Sequence, residues 1–430
     1  MDIKINPGIL EGTLEAISSK SELHRMLICA AFADRPTEII ATGSAYDGHH
    51  TLPKDIQATI ACLTAIGAKC DVHPGLIHAT PVSKQSIAAA PVLDCMESGS
   101  TFRFLLPIAA AVCGKASFSG GGRLPDRPIA GLSEALKAHG VQFSGETLPF
   151  SISGTPNGGV YEIPGNISSQ YLTGLLLMLP LLDEEASIHL TTPLVSSGYI
   201  DITTQVMSSF GVNVLQKDGM WQLTKRQSYH SPKQIPAGGD WSNTAAFLTA
   251  SMLREGNDIR CKALLPDSCQ GDRYILRFLE QFGAGISVTN EGLRTVAGIL
   301  QGTTIDIDET PDLLPYLAVV GCVAVGDTVF TNAARLRLKE SDRITSTAAM
   351  IRALGGSVET ESDKLIVHGV GSLRGGTVDA MNDHRIVMAG AVASSICREP
   401  VIIQGAEAVN KSYPTFFEDF ASVKGDCHVL

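Results

Sequence analysis

Five glycines set the frame of this chain. Gly67, Gly140, Gly211, Gly283 and Gly355 stand 73, 71, 72 and 72 residues apart. Each closes the same phrase: an amphipathic helical stretch, the glycine, then a short β-like run. The phrase reads Cys62-Leu-Thr-Ala-Ile-Gly67-Ala-Lys-Cys-Asp-Val at its first appearance and Ile351-Arg-Ala-Leu-Gly355-Gly-Ser-Val at its last. A glycine just past a helix end can take the left-handed backbone that closes the final turn. Five in nearly constant register point to internal duplication.

A second series interleaves with the first. Each member is a short polar loop that opens into an apolar helical run: Ser19-Lys20-Ser21, Glu97-Ser98-Gly99-Ser100, Ser168-Ser169-Gln170, Gly239-Asp240-Trp241-Ser242, Pro311-Asp312 and Asn382-Asp383-His384-Arg385. Ser, Asp and Asn are helix-capping types, so each loop can present backbone N–H groups, and a helix dipole, to an anion. The runs that follow lack a polar face and are expected to be buried on all sides. Pro128 sits at a plausible first helical position, with Ile129, Leu132 and Leu136 at helical spacing behind it.

Six units of about 72 residues follow from these two series, each with strands and two helices. The sixth is cut short after Gly425, and the N-terminal run Ile3 to Gly12 can supply its missing strand. Six units divide most simply three and three. The boundaries are expected near Lys20 and Pro236, giving a first domain of 20–236 and a second of 1–19 with 237–430. Ser228 to Gly239 reads as a polar linker bearing proline and glycine.

Composition narrows the function. The chain has 430 residues, 44% hydrophobic and 18% charged, with a formal net charge of -11. That is an ordinary globular balance, and its sign argues against nucleic-acid or anionic-membrane partners. Ten cysteines are scattered from Cys29 to Cys427 with no Cys-x-x-Cys pair, the pattern of a reduced compartment. The N-terminus reads unlike a signal peptide, and the run Leu172 to Leu182 is too short to span a bilayer. A cytoplasmic protein is expected. No long heptad is visible, so a monomer is the default expectation.

Charge is concentrated in one stretch, Arg335 to Arg343. Its first half alternates charged and apolar residues, which predicts a strand with one buried face over 335–338. Its second half, Lys339-Glu340-Ser341-Asp342-Arg343, is a dense polar cluster that runs into a helical segment. If the helix starts of both halves face one cleft, the cleft collects Lys20, Arg25, Arg103 and Arg127 from the first half. Lys339, Arg343, Arg385 and Lys411 come from the second, with Asp312 and Glu340 among them. Arginine forks hold carboxylate or phosphate oxygens in pairs, and lysine adds a mobile point charge. Carboxylates among such cations are candidates for general acid and base.

Plainer readings stand beside each of these. Arg25 and Arg103 can be surface arginines, Asp312 and Asp383 simple N-caps, Ser168, Ser169 and Gln170 turn residues. What weakens the plainer readings is joint position in the repeat. Neither Gly-x-x-x-x-Gly-Lys-Ser/Thr nor a strand followed by Gly-x-Gly-x-x-Gly occurs, so no nucleotide cofactor is indicated. No histidine pair has metal-ligand spacing on a helix, so no metal is expected either.

At this level of detail the chain resembles the 5-enolpyruvylshikimate-3-phosphate synthase family along essentially its whole length. The motifs are Ser19-Lys20-Ser21 with Arg25, Ser98-Gly99-Ser100 with Arg103, Arg127-Pro128, Ser168-Ser169-Gln170, Ser196 with Tyr199-Ile-Asp201, Gly239-Asp240, Asp312, Lys339 to Arg343, Asp383-His384-Arg385 and Lys411-Ser-Tyr-Pro414. The resemblance implies an α/β fold of two similar domains, each of three βαβαββ repeats with buried helices and outer sheets, and an active site in the cleft between them. It implies transfer of the enolpyruvyl group of phosphoenolpyruvate to the 5-hydroxyl of shikimate 3-phosphate, with release of phosphate and no cofactor.

Residue by residue, the resemblance assigns shikimate 3-phosphate to Lys20, Ser21, Arg25, Ser168, Ser169, Gln170, Ser196, Asp312 and Lys339. It assigns phosphoenolpyruvate to Lys20, Gly99, Arg127, Gln170, Arg343, Arg385 and Lys411. Asp312 would take the proton from the attacking hydroxyl, Glu340 would protonate the methylene carbon, and Lys20 and Lys411 would assist departure of phosphate. Two alternatives share the fold. One is the sister enzyme that uses UDP-N-acetylglucosamine, whose loop carries a cysteine where this chain has Gly122. The other is a non-catalytic anion-binding homologue, whose mark would be loss of Asp312 or Glu340. Glu97 stands where the family commonly has asparagine, and Arg335 where asparagine is frequent in one branch.

Overall fold

Two kinds of helix alternate along the chain. The computed structural model describes residues 1–224 and 226–430. Its helices are α1 Lys20–Ala31, α2 Lys54–Ile66, α3 Gly99–Cys113, α4 Ala130–Ala138, α5 Ser169–Met178 and α6 Gly198–Ser209. They continue as α7 Trp241–Leu253, α8 Ile275–Phe282, α9 Leu314–Val323, α10 Arg343–Ala353, α11 His384–Ala393 and α12 Phe416–Ser422. The odd-numbered helices are the apolar runs, and in α7 and α11 every residue is buried. Even-numbered helices carry one apolar stripe: α8 buries Ile275, Leu279 and Phe282, at helical spacing.

Every helix pair comes with a four-stranded sheet of one pattern. In the second repeat the order is Val92–Asp94, Lys115–Ser119, Phe150–Ser153, Gln142–Phe143. The first pair is parallel and the other two pairings are antiparallel. The same order and senses recur in all six sheets among the described residues. The repeat is therefore βαβαββ, with the parallel pair bridged by a buried helix as such a crossover demands.

Two strands are exchanged. Glu11–Glu15 precedes α1 in the chain but pairs in parallel with Asp258–Lys262. Gln234–Pro236 precedes α7 but pairs in parallel with Thr37–Ile40. Ser228 to Gly239 is thus more than a linker, and its Gln234–Pro236 segment is the edge strand of the first sheet. An edge place suits Pro236, which has no amide hydrogen to give. The sixth sheet is completed by Ile3–Asn6, antiparallel to both Val401–Gln404 and Asp426–Val429.

Contacts divide the chain into two compact units. The terminal unit comprises Met1–Ile17, Gly43–Ala45 and Gly238–Leu430; the central unit comprises Ser18–Thr42 and Tyr46–Ala237. Each holds three of the sheets and three of the buried helices.

The repeat glycines behave as helix terminators. Gly67, Gly140, Gly211, Gly283 and Gly355 all have positive φ, between 80° and 128°. In the sixth repeat the left-handed residue is Lys424, φ 67°, one residue ahead of the glycine. One further glycine matters for the site: a Cβ on Gly174 would overlap the Arg103 carbonyl oxygen. Only glycine lets α5 approach α3 this closely.

Local expectations fail in two places. Residues 335–338 form no strand; Ala334–Leu338 is a 3-10 helix, and its buried residue is Leu336. Ala333 is buried as well, so the apolar period here is three, which matches 3-10 rather than strand geometry. The preceding strand stops at Asn332, whose φ is 56°. The helix after Arg127-Pro128 begins at Ala130, because Ile129 rather than Arg127 takes the N-cap position.

Candidate active site

Five of the six polar loops cap their helix directly. The side chains of Ser19, Ser98, Ser168, Asp240 and Asp383 accept from the backbone N–H of Glu22, Thr101, Gln170, Asn243 and Arg385. Asp312 does not. It lies on the 3-10 turn Pro311–Leu313, and its side chain makes no capping bond. Its carboxylate is thereby left to the cations around it.

Those cations form the terminal unit's cluster. Asp312 Oδ1 accepts from Lys339 Nζ at 3.2 Å and from Arg343 Nη1 at 2.5 Å, and Arg385 Nη2 lies 3.6 Å from Asp312 Oδ2. Arg343 has no exposed side-chain surface. Besides Asp312 it meets Glu340 Oε2 through Nη2 at 2.8 Å and Asp383 Oδ2 through Nε at 2.9 Å. Three carboxylates on one buried guanidinium keep it charged: burial opposes the charge, but Asp383, Asp312 and Glu340 outweigh it. Asp383 is held in turn by the Ser341 hydroxyl at 2.9 Å while it caps α11.

The acidity of Asp312 follows from the same geometry. Burial pushes its carboxyl up, yet Lys339, Arg343, Arg385 and His384 together hold it well below the ordinary carboxylate range. Arg385 is 3% exposed and is gripped by Ser242, whose backbone oxygen accepts from Nη1 at 2.6 Å and whose hydroxyl accepts from Nη2 at 2.6 Å. Tyr316 Oη lies 3.2 Å from Nη1, while the buried Nε has no hydrogen-bond partner among the described residues. Lys411 donates to the Asn382 carbonyl at 2.6 Å. Met381 and Asn382 are both in left-handed conformation, with φ 48° and 54°.

The central unit's cluster is built differently. Lys20 opens α1, and its amine lies 2.5 Å from Asp55 Oδ2. Arg25, one turn on and 2% exposed, lies over the Phe104 ring. Its guanidinium meets the Ser21 carbonyl at 2.6 Å, Thr203 Oγ1 at 2.8 Å and the Tyr199 carbonyl at 3.0 Å. Tyr199 in turn donates its amide to the carbonyl of Ser196, a buried residue with φ 54°. His24, between Lys20 and Arg25 in sequence, bonds Thr59 at 2.7 Å instead. Burial, then Lys20 and Arg25, hold its imidazole well below the usual range.

A second group in this unit lies at the start of α3 and α5. Gln170 accepts from Arg103 Nη1 at 3.2 Å and donates to Ser100 Oγ at 3.1 Å. Arg103 also donates to the Pro128 carbonyl at 3.0 Å. A Cβ on Gly99 would lie 2.7 Å from both Arg103 Nη1 and Arg127 Nη1, so two guanidinium groups converge over a bare Cα. Ser168 and Ser169 occupy the adjoining start of α5, with Ser169 buried. Glu97 turns its carboxylate onto Gly122, filling the space a side chain there would need.

The expected site residues divide between the two units: Lys20 with Arg25 and Gly99 with Arg103, Arg127 and Gln170 form two groups in the central unit, Asp312, Lys339, Glu340, Arg343 and Arg385 one group in the terminal unit, and Lys411 is placed at the Asn382 carbonyl. Arg25 and Arg103 are buried rather than on the surface, and Gln170 is a bridge rather than a turn residue. Arg335 is a strut: Nε and Nη2 meet the Asp308 carboxylate at 3.0 and 2.8 Å. Sequence reasoning missed Asp55, Ser242, Tyr316 and Thr203. Asp55, in the first turn of α2, was the most accessible of these, since an acid there faces a helix start. Ser242 and Tyr316 lie on the apolar helices α7 and α9, and Thr203 on the buried stripe of α6, where only packing reveals a polar partner. Among the described residues, no group of three or more His, Cys, Asp or Glu is placed to hold a metal ion.

Comparison with known proteins decides the family. The family described as EPSP synthase (3-phosphoshikimate 1-carboxyvinyltransferase) matches residues 5–420. The chain belongs to that family. A 3-phosphoshikimate 1-carboxyvinyltransferase of Clostridium novyi is 37% identical over 434 residues, covering 99% of this chain and 98% of the relative. The protein of that name from Clostridioides difficile is 34% identical over 98% of this chain and 97% of its own length. The solved EPSP synthase of Acinetobacter baumannii superposes with a TM-score of 0.81 at 25% identity, covering all of both chains. The family's two-domain α/β fold is therefore the fold described above. No helix among the described residues is long and apolar enough to cross a membrane.

Proposed function

We propose that the two clusters serve one reaction, the family's transfer of enolpyruvyl from phosphoenolpyruvate to the 5-hydroxyl of shikimate 3-phosphate. The observation that carries this reading is the pair of carboxylates, Asp312 and Glu340, on the single buried guanidinium of Arg343. An enol ether made by addition and elimination needs a base for the hydroxyl, an acid for the methylene carbon and cations for the departing phosphate.

Asp312 is the base. It is ionised, and its Oδ1 is aimed by Lys339 and Arg343. Glu340 delivers a proton to the methylene carbon, which leaves the neighbouring carbon cationic and open to the hydroxyl oxygen. The resulting tetrahedral adduct collapses when Glu340 takes back a methyl proton and phosphate departs. The proton from the hydroxyl leaves with phosphate, so the balance closes without a cofactor. Lys20 and Lys411 stabilise the departing charge.

Binding is divided. Lys20, Ser21, Arg25, Ser168, Ser169, Gln170, Ser196, Asp312 and Lys339 hold shikimate 3-phosphate. Lys20, Gly99, Arg127, Gln170, Arg343, Arg385 and Lys411 hold phosphoenolpyruvate. Arg343 is saturated by carboxylates, so an arriving anion exchanges with one of them, and exchange with Glu340 would release that acid toward the substrate. The unpartnered Nε of Arg385 supports its role as an anion ligand. We take the acting species as cytoplasmic, on scattered cysteines with no Cys-x-x-Cys pair, and as a monomer, on the lack of a long heptad in the sequence.

Phosphate release from a mixture of shikimate 3-phosphate and phosphoenolpyruvate tests the activity, and folded protein that releases none rejects it. Turnover with UDP-N-acetylglucosamine in place of shikimate 3-phosphate would favour the sister reaction.

A further inference from the structure

Arg385 opens α11, Lys411 ends the 3-10 helix Ala406–Lys411, and one neutral side chain from α7 reaches both segments. Asn243 lies in the first turn of α7, is 1% exposed, and has its backbone amide capped by Asp240 Oδ1 at 2.7 Å. Its Oδ1 accepts from Arg385 Nη1 at 3.3 Å and from the Ser412 hydroxyl at 3.2 Å. Its Nδ2 donates to the Ser412 carbonyl at 3.4 Å. A guanidinium can only donate, so the amide oxygen must be the atom facing Arg385, which leaves the amide nitrogen for the Ser412 carbonyl. One planar group thus grips an arm of Arg385 and both polar groups of the residue that follows Lys411.

The contacts close a ring. Lys411 Nζ donates to the Asn382 carbonyl at 2.6 Å, and Asn382 stands three residues before Arg385 in the chain. From Arg385 the ring returns through Asn243 to Ser412, whose peptide bond leads back to Lys411. The Lys411–Asn382 link is made by the ammonium itself, so an arriving anion competes for it. The Asn243 links are made by Ser412 and by the Nη1 arm of Arg385, which the Ser242 carbonyl and Tyr316 Oη also hold. They need not break when an anion takes the ammonium. An amide also orients the guanidinium without cancelling its charge, as a carboxylate in its place would.

We propose that Asn243 is a positioning residue for phosphoenolpyruvate binding, fixing Arg385 and the Lys411 segment relative to each other before the substrate arrives. The proposal rests on the reading that Arg385 and Lys411 are ligands of phosphoenolpyruvate. Two cations placed in advance bind one anion more tightly than two that must be ordered during binding. At saturation the substrate itself draws both cations in, so the gain appears in affinity rather than in the saturated rate.

The test is steady-state phosphate release by the full chain, each substrate being varied at a saturating level of the other. Asn243→Asp keeps the shape and the shared oxygen, but sets a charge against Arg385 and an acceptor against the Ser412 carbonyl. It should raise KM for phosphoenolpyruvate at least about tenfold, the size of one hydrogen bond to a charged group, with KM for shikimate 3-phosphate within about twofold and kcat within about threefold. Asn243→Ala should raise the same KM about tenfold and Ser412→Ala about threefold. The double variant of these two should be no worse than Asn243→Ala alone, because both dismantle one junction. A packing role alone predicts a near-native Asn243→Asp, whose volume is unchanged, or equal losses for both substrates. Either result, an unchanged KM in Ser412→Ala, or additive effects in the double variant overturns the proposal. Arg385→Lys separates the two levels. If it leaves KM for phosphoenolpyruvate unchanged, the binding reading fails and takes the proposal with it; if it raises that KM while the Asn243 variants do not, the proposal alone fails. Should Asn243→Ala not fold, Asn243→Asp and Ser412→Ala still decide.

Discussion

The two units repeat one architecture but differ in how their central arginines are held: Arg343 of the terminal unit bonds three carboxylates, and Arg25 and Arg103 of the central unit bond neutral oxygens. In the central unit Arg25 and Arg103 are satisfied mainly by neutral oxygens: Ser21 and Tyr199 carbonyls, the Thr203 hydroxyl, the Gln170 amide and the Pro128 carbonyl. In the terminal unit Lys339 and Arg343 bond carboxylates, with Asp312 shared between them, while Arg385 lies 3.6 Å from Asp312 and hydrogen-bonds neutral oxygens of Ser242, Asn243 and Tyr316. Neutral acceptors orient a guanidinium without cancelling its charge, so the central cluster keeps a positive field for anions. Carboxylates cancel charge and provide proton acceptors and donors. On the proposed reading the acid and the base both come from the terminal cluster, while anion binding is shared between the two.

The contrast can be broken by variants on either side. Asp312→Asn and Glu340→Gln keep size and most hydrogen bonds, so each should fold normally and lose about 10³-fold in kcat; near-native turnover in either refutes its role. Asp312→Ala is a harsher change. It removes one of the three carboxylates on buried Arg343, leaving Asp383 and Glu340, and should cost about 1–3 kcal/mol of stability, read by thermal unfolding. In the central unit Arg25→Ala should raise KM for shikimate 3-phosphate about 10²-fold with little change in kcat, since roughly 1.5–3 kcal/mol per charged hydrogen bond is at stake. A loss confined to kcat would erase the division of labour.

Smaller effects sharpen it. A methyl at Gly99 must displace the two converging guanidinium groups, so Gly99→Ala should weaken phosphoenolpyruvate binding by about tenfold and leave shikimate 3-phosphate nearly unaffected. Stability should respond to pH with opposite signs at two acids of the terminal unit. Asp312 has a lowered pKa, so its contribution is present above the unfolded value of about 3.9 and is lost as pH falls below it. Asp272 has a raised one, pushed up by burial and then by Asp312, so stability falls as pH rises from about 4 through its value of about 6, by roughly 1–3 kcal/mol. Asp272→Asn should remove that fall, visible in melting curves on either side of pH 6. Smallest of all, Arg335→Ala should cost no more than about 1 kcal/mol and leave kinetics untouched, as fits a partly exposed ion pair.

Much of this was legible without coordinates. Evenly spaced glycines mark helix ends because only they enter the left-handed region cheaply, and five of them do. Serines and aspartates at the starts of apolar runs mark helix caps because their oxygens meet free amides, and five of six do so. The order of motifs along the chain was enough to name the family that the comparisons then established. These signals are local, carried by a few neighbouring residues each, and survive in a string of letters.

Other features depend on distance in the chain being cancelled by folding. The exchange of strands 11–15 and 234–236 has no local signature, since parallel pairing is set by which edges meet. The period-three burial of Ala333 and Leu336 was hidden beneath alternating charges. Asp312 and Asp383 look alike as helix-start acids; only the 3-10 turn at Pro311–Leu313 frees the first for cations while the second caps α11. Sequence by itself determined the repeat, the helix ends and the inventory of charged groups. Tertiary structure alone decided which acid faces which base, because that depends on side chains brought within about 3 Å from positions far apart in the chain.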